Sequence, residues 1–133
     1  MDEIPAGDLT VKVSVDPQGF LRVTVQGTVD NVALPGLFSM AATTSEKHQL
    51  DRVFVDLLHS ELRLNAADIY WVPKKLESHG LRRHRAALLF REIGSDEEFL
   101  ETVCANRGVR VKVFTNSDEA VAWLMADGDS CLG

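Results

Sequence analysis

The side chains best suited to binding or catalysis lie in one short stretch, FVDLLHSELRLNAADIYWVP, at residues 54–73. It brings carboxylates, an imidazole, a hydroxyl and an amide together at Asp56, His59, Ser60, Asn65 and Asp68. We interpret the stretch as a strand over residues 53–58, a loop, and a helix that begins near residue 66. These side chains are therefore expected to meet at a strand-to-helix junction and form an interaction or ligand site.

Two interpretations of Asn65 and Asp68 are open. In the first, the Asn65 side chain caps the helix and Asp68 reaches back or interacts favourably with the helix dipole. In the second, Asn65 and the free N–H groups that follow it form a small pocket for an anion or polar ligand. The negative charge of Asp68 opposes an anion there, so the sequence favours the cap.

Catalysis at this junction has weak support in the sequence. His59 and Glu61 could form an acid–base pair, but they are two residues apart and no third group that would orient them is identifiable. We therefore take both as surface loop residues. Ser60 is interpreted as a loop serine, although its hydroxyl could be modified.

The remaining reactive residues also lack a catalytic pattern. Cys104 falls on the apolar stripe of a predicted helix, which indicates a buried and inert thiol. The four histidines show no HxxxH or HxH spacing, and no glycine-rich phosphate loop is present. We therefore expect no catalytic residue, no metal and no cofactor, and no enzyme activity.

A basic segment follows the junction and contains five cations: Lys74, Lys75, Arg82, Arg83 and Arg85. An acidic segment, EIGSDEEFLE, comes directly after it. One interpretation is a solvated helix end, since cations are favourable at a helix C-terminus. The other is a basic docking patch for an acidic partner or for the acidic segment of a second copy.

The composition is that of one ordinary globular domain of 133 residues. The formal net charge of −6 argues against binding to nucleic acid or anionic lipid. The apolar runs are too short to span a membrane, and the acidic start does not resemble a secretory signal. Two cysteines without metal-type spacing suggest reduced thiols, so we expect a cytoplasmic protein.

The chain divides into an N-terminal extension at residues 1–8, a domain at 9–126 and a mobile tail at 127–133. Residues 9–15 and 20–26 alternate apolar and polar side chains around DPQG, which predicts a β-hairpin. Three further strands are predicted at 53–58, 86–90 and 109–114, with a helix after each and another before the first of them. The predicted order is ββαβαβαβα, and the crossover helices make the strands after the hairpin parallel.

Two details concern the helix ends. Pro73 either kinks the helix that runs from residue 66 to residue 79, or it begins a second short helix. Ser95 and Glu98 have the spacing of a capping box at the start of the next helix.

The simplest sheet that fits this order has five strands in the sequence 1-2-3-4-5. Right-handed crossovers in one direction place the helices mainly on one side of it. The other face would then be uncovered, and the parity of Phe54, Leu58, Leu88 and Phe90 predicts that some apolar surface lies there. A protein partner or a second copy in a homodimer would bury it.

Several phrases resemble the STAS-domain, or SpoIIAA-like, family over residues 9–126. They are GVRVKVFTNSDEAVAWL at 108–124, VFVDL at 53–57 and AALLF at 86–90. The resemblance implies a β-α superhelix of the SpoIIAA-like kind. In anti-sigma-factor antagonists of this family, a phosphorylatable Ser begins the helix after the Asp-ending strand. Here Asn65, Ala66 and Ala67 carry no hydroxyl, so that switch does not carry over.

The expected function is therefore a non-catalytic, STAS-like regulatory or protein-interaction module without the phosphorylatable Ser. The alternative is a domain that binds a small molecule or lipid, because CRAL-TRIO lipid-transfer domains have a related winding.

Overall fold

The computed structural model describes residues 2–6 and 9–126, and it describes side chains from residue 9 onward. The strands form one six-stranded sheet in the order β1-β2-β3-β4-β5-β6. The strands are β1 (Asp2–Ala6), β2 (Leu9–Asp16), β3 (Phe20–Asp30), β4 (Arg52–Arg63), β5 (Arg85–Leu89) and β6 (Arg110–Phe114). The helices are α1 (Leu34–His48), α2 (Ala66–Tyr70), α3 (Val72–Ser78), α4 (Ser95–Asn106) and α5 (Ser117–Met125).

The five predicted strands correspond to β2–β6, and their predicted order along the chain and across the sheet is confirmed. The strands from β3 to β6 are parallel, and β2 is antiparallel to β3. The predicted N-terminal extension contributes a sixth strand, because β1 pairs antiparallel with β2. The tail predicted to be mobile, residues 127–133, lies outside the described residues.

The predicted hairpin turn between β2 and β3 forms at Asp16–Gly19. The Gly19 N–H donates to the Asp16 carbonyl at 2.9 Å, and the Gln18 N–H donates to Asp16 Oδ1 at 2.9 Å. Gly19 has a φ of 104°, a backbone conformation that side chains disfavour. Local residue chemistry is therefore sufficient to form this turn.

The larger hydrophobic core lies between one face of the sheet, here called the first face, and the helices α1 to α4. Alternating strand residues such as Val23, Val53, Val55 and Val113 project into it. The helices that connect β3 to β4, β4 to β5 and β5 to β6 all pack on this face, as right-handed crossovers require.

The prediction that the opposite, second face is uncovered is wrong. A second core cluster lies there, in which Ala120 and Leu124 of α5 pack against Phe54, Leu89 and Phe114. Helix α5 follows the last strand and connects no two strands, so crossover handedness does not constrain it. It folds back over the apolar part of the second face and buries it.

The predicted composition of the second face is also partly wrong. Phe54 and Leu58 do lie on it, but Leu88 and Phe90 belong to the core of the first face. The parallel register explains the difference, since Phe54 pairs with Ala87 and Val55 pairs with Leu88. Parity within one strand therefore does not carry over to its neighbour until the register is known.

Strand β4 is longer than predicted, because it continues through residues 59–63, which were interpreted as a loop. A register shift between Thr24 and Gln26 of β3 sets two residues of β4 against one of β3. Beyond it, Leu62 packs with the core of the first face, while His59 and Glu61 are exposed. The alternation HSELRL was the sequence signal for this extension.

Of the two predictions about helix ends, one alternative for Pro73 is confirmed and the capping box of α4 is wrong. Pro73 does not kink a long helix but stands in the first turn of the separate short helix α3. Helix α4 has Gly94 as its N-cap, and the Gly94 N–H donates to Glu97 Oε1 at 2.9 Å. The predicted Ser95–Glu98 capping box is therefore wrong by one residue.

Candidate functional site

The polar residues predicted to share one junction are divided between the two sides of the sheet. His59 and Glu61 are exposed on β4 and pair with Gln26 and Thr28 of β3. Ser60 points the other way and is half-buried, with its Oγ donating to the Val25 carbonyl at 2.7 Å. This hydrogen bond ties β4 to β3 at the register shift, so Ser60 is a strand residue and not a loop residue.

Asp56 and Asp68 both accept backbone hydrogen bonds. The Leu58 N–H donates to Asp56 Oδ1 at 3.0 Å in β4. The Asp68 carboxylate accepts from the Asn65 N–H at 3.2 Å at the start of α2. Because His59 and Glu61 lie on the second face and α2 packs on the first, Asp68 does not converge with them in one cleft.

Asn65 is the N-cap of α2, as the favoured interpretation of the sequence has it. Its Oδ1 accepts from the Asp68 N–H at 2.8 Å, and the two residues form a reciprocal capping box. Helix α2 has five residues, and the Asp68 charge occupies its N-terminus. The geometry is that of a helix cap, and it leaves the alternative of an anion pocket without support.

We expect Asn65→Ala to lower the free energy of unfolding by about 1 kcal/mol, because the substitution removes the cap hydrogen bond to Asp68. Chemical denaturation of the variant and the wild type measures this difference. Asn106→Ala, at an exposed position on α4, is the control and should change stability by less than about 0.5 kcal/mol. Equal effects of the two substitutions would contradict a capping role for Asn65.

The predicted basic patch loses one member. Arg85 is only 8% exposed, and its guanidinium Nη1 donates to the Trp123 carbonyl at 2.8 Å and to the Ala126 carbonyl at 3.1 Å. It also lies 5.0 Å from the centre of the Trp123 ring. Arg85 therefore caps the C-terminus of α5 on the second face, and the prediction that it is a docking residue is wrong.

The other cations of the basic segment remain near the surface. Lys74, Arg82 and Arg83 are exposed. Lys75 is half-buried, and its Nζ donates to Asn31 Oδ1 at 2.6 Å. Docking of an acidic partner on these four residues stays a prediction.

The Cys104 thiol is fully buried in the core of the first face. Burial raises the pKa of Cys104 to about 12, so the reactive thiolate is scarce at neutral pH. Across residues 9–126, no three His, Cys, Asp or Glu side chains are grouped so that they could hold a metal ion. Cys131 lies outside the described residues.

An apolar cavity of about 150 Å³ lies between the first face of the sheet, α1 and α3. Its walls include Val25 and Val55 from the sheet, Phe38 from α1 and Leu76 from α3. His84, in the segment before β5, also lines it and is the one polar side chain among the cavity-lining residues. The sequence had suggested a ligand cavity only through the related winding of CRAL-TRIO domains, and it had pointed to none of the lining residues.

His84 is held by Ser45 of α1. The Ser45 Oγ lies 3.0 Å from His84 Nε2, and it donates to the Ala41 carbonyl at 2.7 Å. The other ring nitrogen, His84 Nδ1, is buried and has no hydrogen-bond partner among the described residues. Ser45 stands four residues after Ala41 on the apolar stripe of α1, so the sequence signalled a buried polar contact there but not its partner His84.

Burial lowers the pKa of His84 below its usual value of 6.5, and the charge of nearby Asp51 offsets part of that shift. Between the lowered folded pKa and 6.5, the unfolded chain binds a proton at His84 that the folded chain does not bind. Acidification through this range therefore destabilises the fold, whereas above 6.5 both states are neutral and His84 has no effect.

We expect His84→Gln to flatten the fall in unfolding free energy as the pH drops below 6.5. One histidine can contribute a slope of at most about 1.4 kcal/mol per pH unit. Denaturation at a series of pH values measures the slopes. The control, His48→Gln, replaces an exposed histidine of α1, and an identical slope in the wild type and His84→Gln would contradict the assignment.

None of the described helices is both long enough and apolar enough to pass through a membrane.

Solved structures reveal which fold this architecture is. A crystal structure of an anti-sigma factor antagonist from Mycobacterium paratuberculosis matches with a TM-score of 0.61 at 19% identity, over 92% of this chain and 100% of that chain. An uncharacterised protein of the DUF3478 family from Shewanella loihica PV-4, with a SpoIIAA-like fold, matches with a TM-score of 0.54 at 17% identity, over 87% of this chain and 93% of that one. The chain has a SpoIIAA-like fold.

This result confirms the fold that the resemblance implied. No family model and no curated protein matches the sequence. The SpoIIAA-like fold is therefore recognised through the arrangement of its elements, at identities of 19% and 17%.

Proposed function

We propose that the domain is a non-catalytic regulatory module that recognises a protein partner in the cytoplasm. The observation that carries the proposal is the likeness to an anti-sigma factor antagonist over 92% of the chain. Proteins of that description act by binding other proteins, and a shared fold supports a shared mode of action by analogy.

The uncovered apolar sheet face predicted from the sequence does not support the proposal, because α5 buries that surface. A homodimer built on the second face has lost its support for the same reason. The proposal instead uses β4, whose last residues extend beyond its neighbour β5. Strand β5 pairs with β4 only as far as Asp56.

Beyond Asp56, β4 has one edge on β3 and no strand on its other edge within the described residues. A free strand edge offers unpaired backbone groups to an incoming extended segment. The exposed side chains of His59 and Glu61 flank this edge. We place the recognition surface here, at the predicted junction between β4 and α2.

The N-terminus of α2 supports recognition without the family's phosphoswitch. Asn65, Ala66 and Ala67 occupy the first positions of α2, and Asn65 already caps the helix through Asp68. Binding in this chain would therefore be controlled by something other than a phosphate at the start of α2.

The test is affinity capture from the native cell extract with wild-type protein and with the double variant His59→Ala/Glu61→Ala. We expect a specific protein to be retained by the wild type and lost by the double variant. The matched control is Glu46→Ala/His48→Ala, which removes the same residue types from exposed positions on α1. Retention of the same proteins by all three forms, or of none, would refute the proposed surface.

The second candidate function is the binding of a small molecule or lipid, and the apolar cavity of about 150 Å³ favours it. The enclosing side chains come from the sheet, α1 and α3, so a bound molecule would also stabilise the packing of these elements.

A further inference from the structure

We propose that the cavity between the first face of the sheet, α1 and α3 binds a neutral, hydrocarbon-like molecule about the size of a benzene ring. The proposal rests on the second candidate function and names the class of ligand that the cavity takes. It restricts that function to ligands that bring no polar group into the cavity.

The cavity lies where two alanines face each other between α1 and the sheet. The contact of 3.0 Å between Ser45 Oγ and His84 Nε2 fixes the position of α1 along β5. Helix α1 connects the parallel strands β3 and β4, so it runs antiparallel to them and to β5. Four residues of helix and two residues of strand both cover about 6 Å. Ala41, four residues before Ser45, is therefore set against Ala86, two residues after His84, and both alanines line the cavity.

The neighbours of Ala86 in the sheet have larger side chains. Ala86 pairs with Val53 of β4 on one side and with Val111 of β6 on the other, and both valines also line the cavity. A methyl group between two isopropyl groups leaves a depression in the sheet surface. The short side chain of Ala41 above it does not fill the depression, so the space remains.

The walls offer a ligand almost no polar partner. They are formed by Val, Leu, Ala and Phe side chains, with His84 the exception. The His84 ring adds no accessible acceptor at Nδ1, because that atom is buried, and its Nε2 contacts Ser45. A ligand hydroxyl or carboxylate would lose its hydrogen bonds to water here and gain none. The cavity therefore selects hydrocarbon over alcohol, phenol or fatty-acid anion.

The volume of the cavity sets the size of the ligand. An apolar cavity of about 150 Å³ in a protein core stays dry and accepts a molecule of the size of benzene. A vacant cavity lowers stability in proportion to its volume, because the atoms that line it lack contacts on one side. A hydrocarbon of matching size restores those contacts without burying a polar group.

The experiment titrates the full chain with benzene, with phenol and with dodecanoate, the last below the concentration at which it forms micelles. Methyl NMR spectra of the cavity-lining valines and leucines follow each titration. We expect benzene to shift these resonances and phenol to bind at least about tenfold more weakly, because its hydroxyl finds no partner. Dodecanoate should leave the resonances in place.

The variant Ala41→Leu tests the location of the site, because it fills the cavity from α1 with apolar atoms. It should weaken benzene binding at least about tenfold, since the larger side chain occupies the space of the ligand. The matched control is Ala122→Leu, the same change at an exposed helical position on α5, and it should leave benzene affinity unchanged. If Ala41→Leu does not fold, Ala86→Leu fills the cavity from the sheet instead, and the three titrations of the wild type decide the question on their own.

The outcomes that overturn the proposal are distinct from one another. If none of the three compounds shifts the cavity methyl resonances, the second candidate function fails together with the proposal. If dodecanoate shifts them and benzene does not, the cavity still binds a ligand but the proposed class is refuted. Phenol binding as tight as that of benzene refutes the selectivity, and unchanged benzene affinity in a folded Ala41→Leu refutes the location.

Discussion

Phe54→Ala is expected to lower the free energy of unfolding by about 3–5 kcal/mol. Phe54 is fully buried in the cluster beneath α5, and its ring centre lies 5.9 Å from that of Phe20. The Arg22 guanidinium also lies 4.7 Å from the Phe54 ring centre. Truncation leaves a cavity that Phe20 and Arg22 cannot fill without leaving their own contacts.

Urea denaturation followed by circular dichroism measures the effect. Phe99→Ala is the matched control, because Phe99 is 36% exposed on α4 and its truncation leaves no closed cavity. The control should cost less than about 1.5 kcal/mol. A loss for Phe54→Ala as small as that of the control would mean that α5 does not pack firmly on the second face.

Arg85→Leu is expected to lower the free energy of unfolding by about 2–4 kcal/mol. The substitution leaves the Trp123 and Ala126 carbonyls without the guanidinium that now binds them. It also removes the contact of that guanidinium with the Trp123 ring. Because these groups lie at the end of α5, the effect should be felt first as loosening of that helix.

Trp123 fluorescence and hydrogen exchange of the α5 amides measure this loosening. Arg83→Leu replaces an exposed arginine two residues away and serves as the control, with an expected change within about 0.5 kcal/mol. Equal losses for the two variants would indicate that Arg85 behaves as a surface cation, as the sequence alone had suggested.

The two stability predictions concern the part of the fold that the sequence did not reveal. The crossover helices were correctly predicted to share one face, because handedness constrains any helix that joins parallel strands. Helix α5 joins no strands, and its position follows from the apolar side chains of Phe54 and Leu89 that it covers. The handedness of crossover connections therefore could not predict the position of α5.

Some features of the candidate sites could likewise be predicted from local spacing, and others could not. The cap formed by Asn65 and Asp68 could be predicted, because its partners are three residues apart and share one helical turn. Ser45 and His84 are 39 residues apart, and only the packing of α1 on the sheet brings them together. The role of Arg85 depends likewise on contacts 38 and 41 residues along the chain.

By itself, the sequence determined the hairpin turn, the order of strands and helices, the cap of α2 and the resemblance to the SpoIIAA-like family, because each depends on local spacing or on connectivity. The tertiary structure alone decided the covered second face, the burial of Arg85 and the contact between Ser45 and His84. These depend on sheet register and on helix docking, which join residues that are distant in sequence and leave no local periodicity to detect.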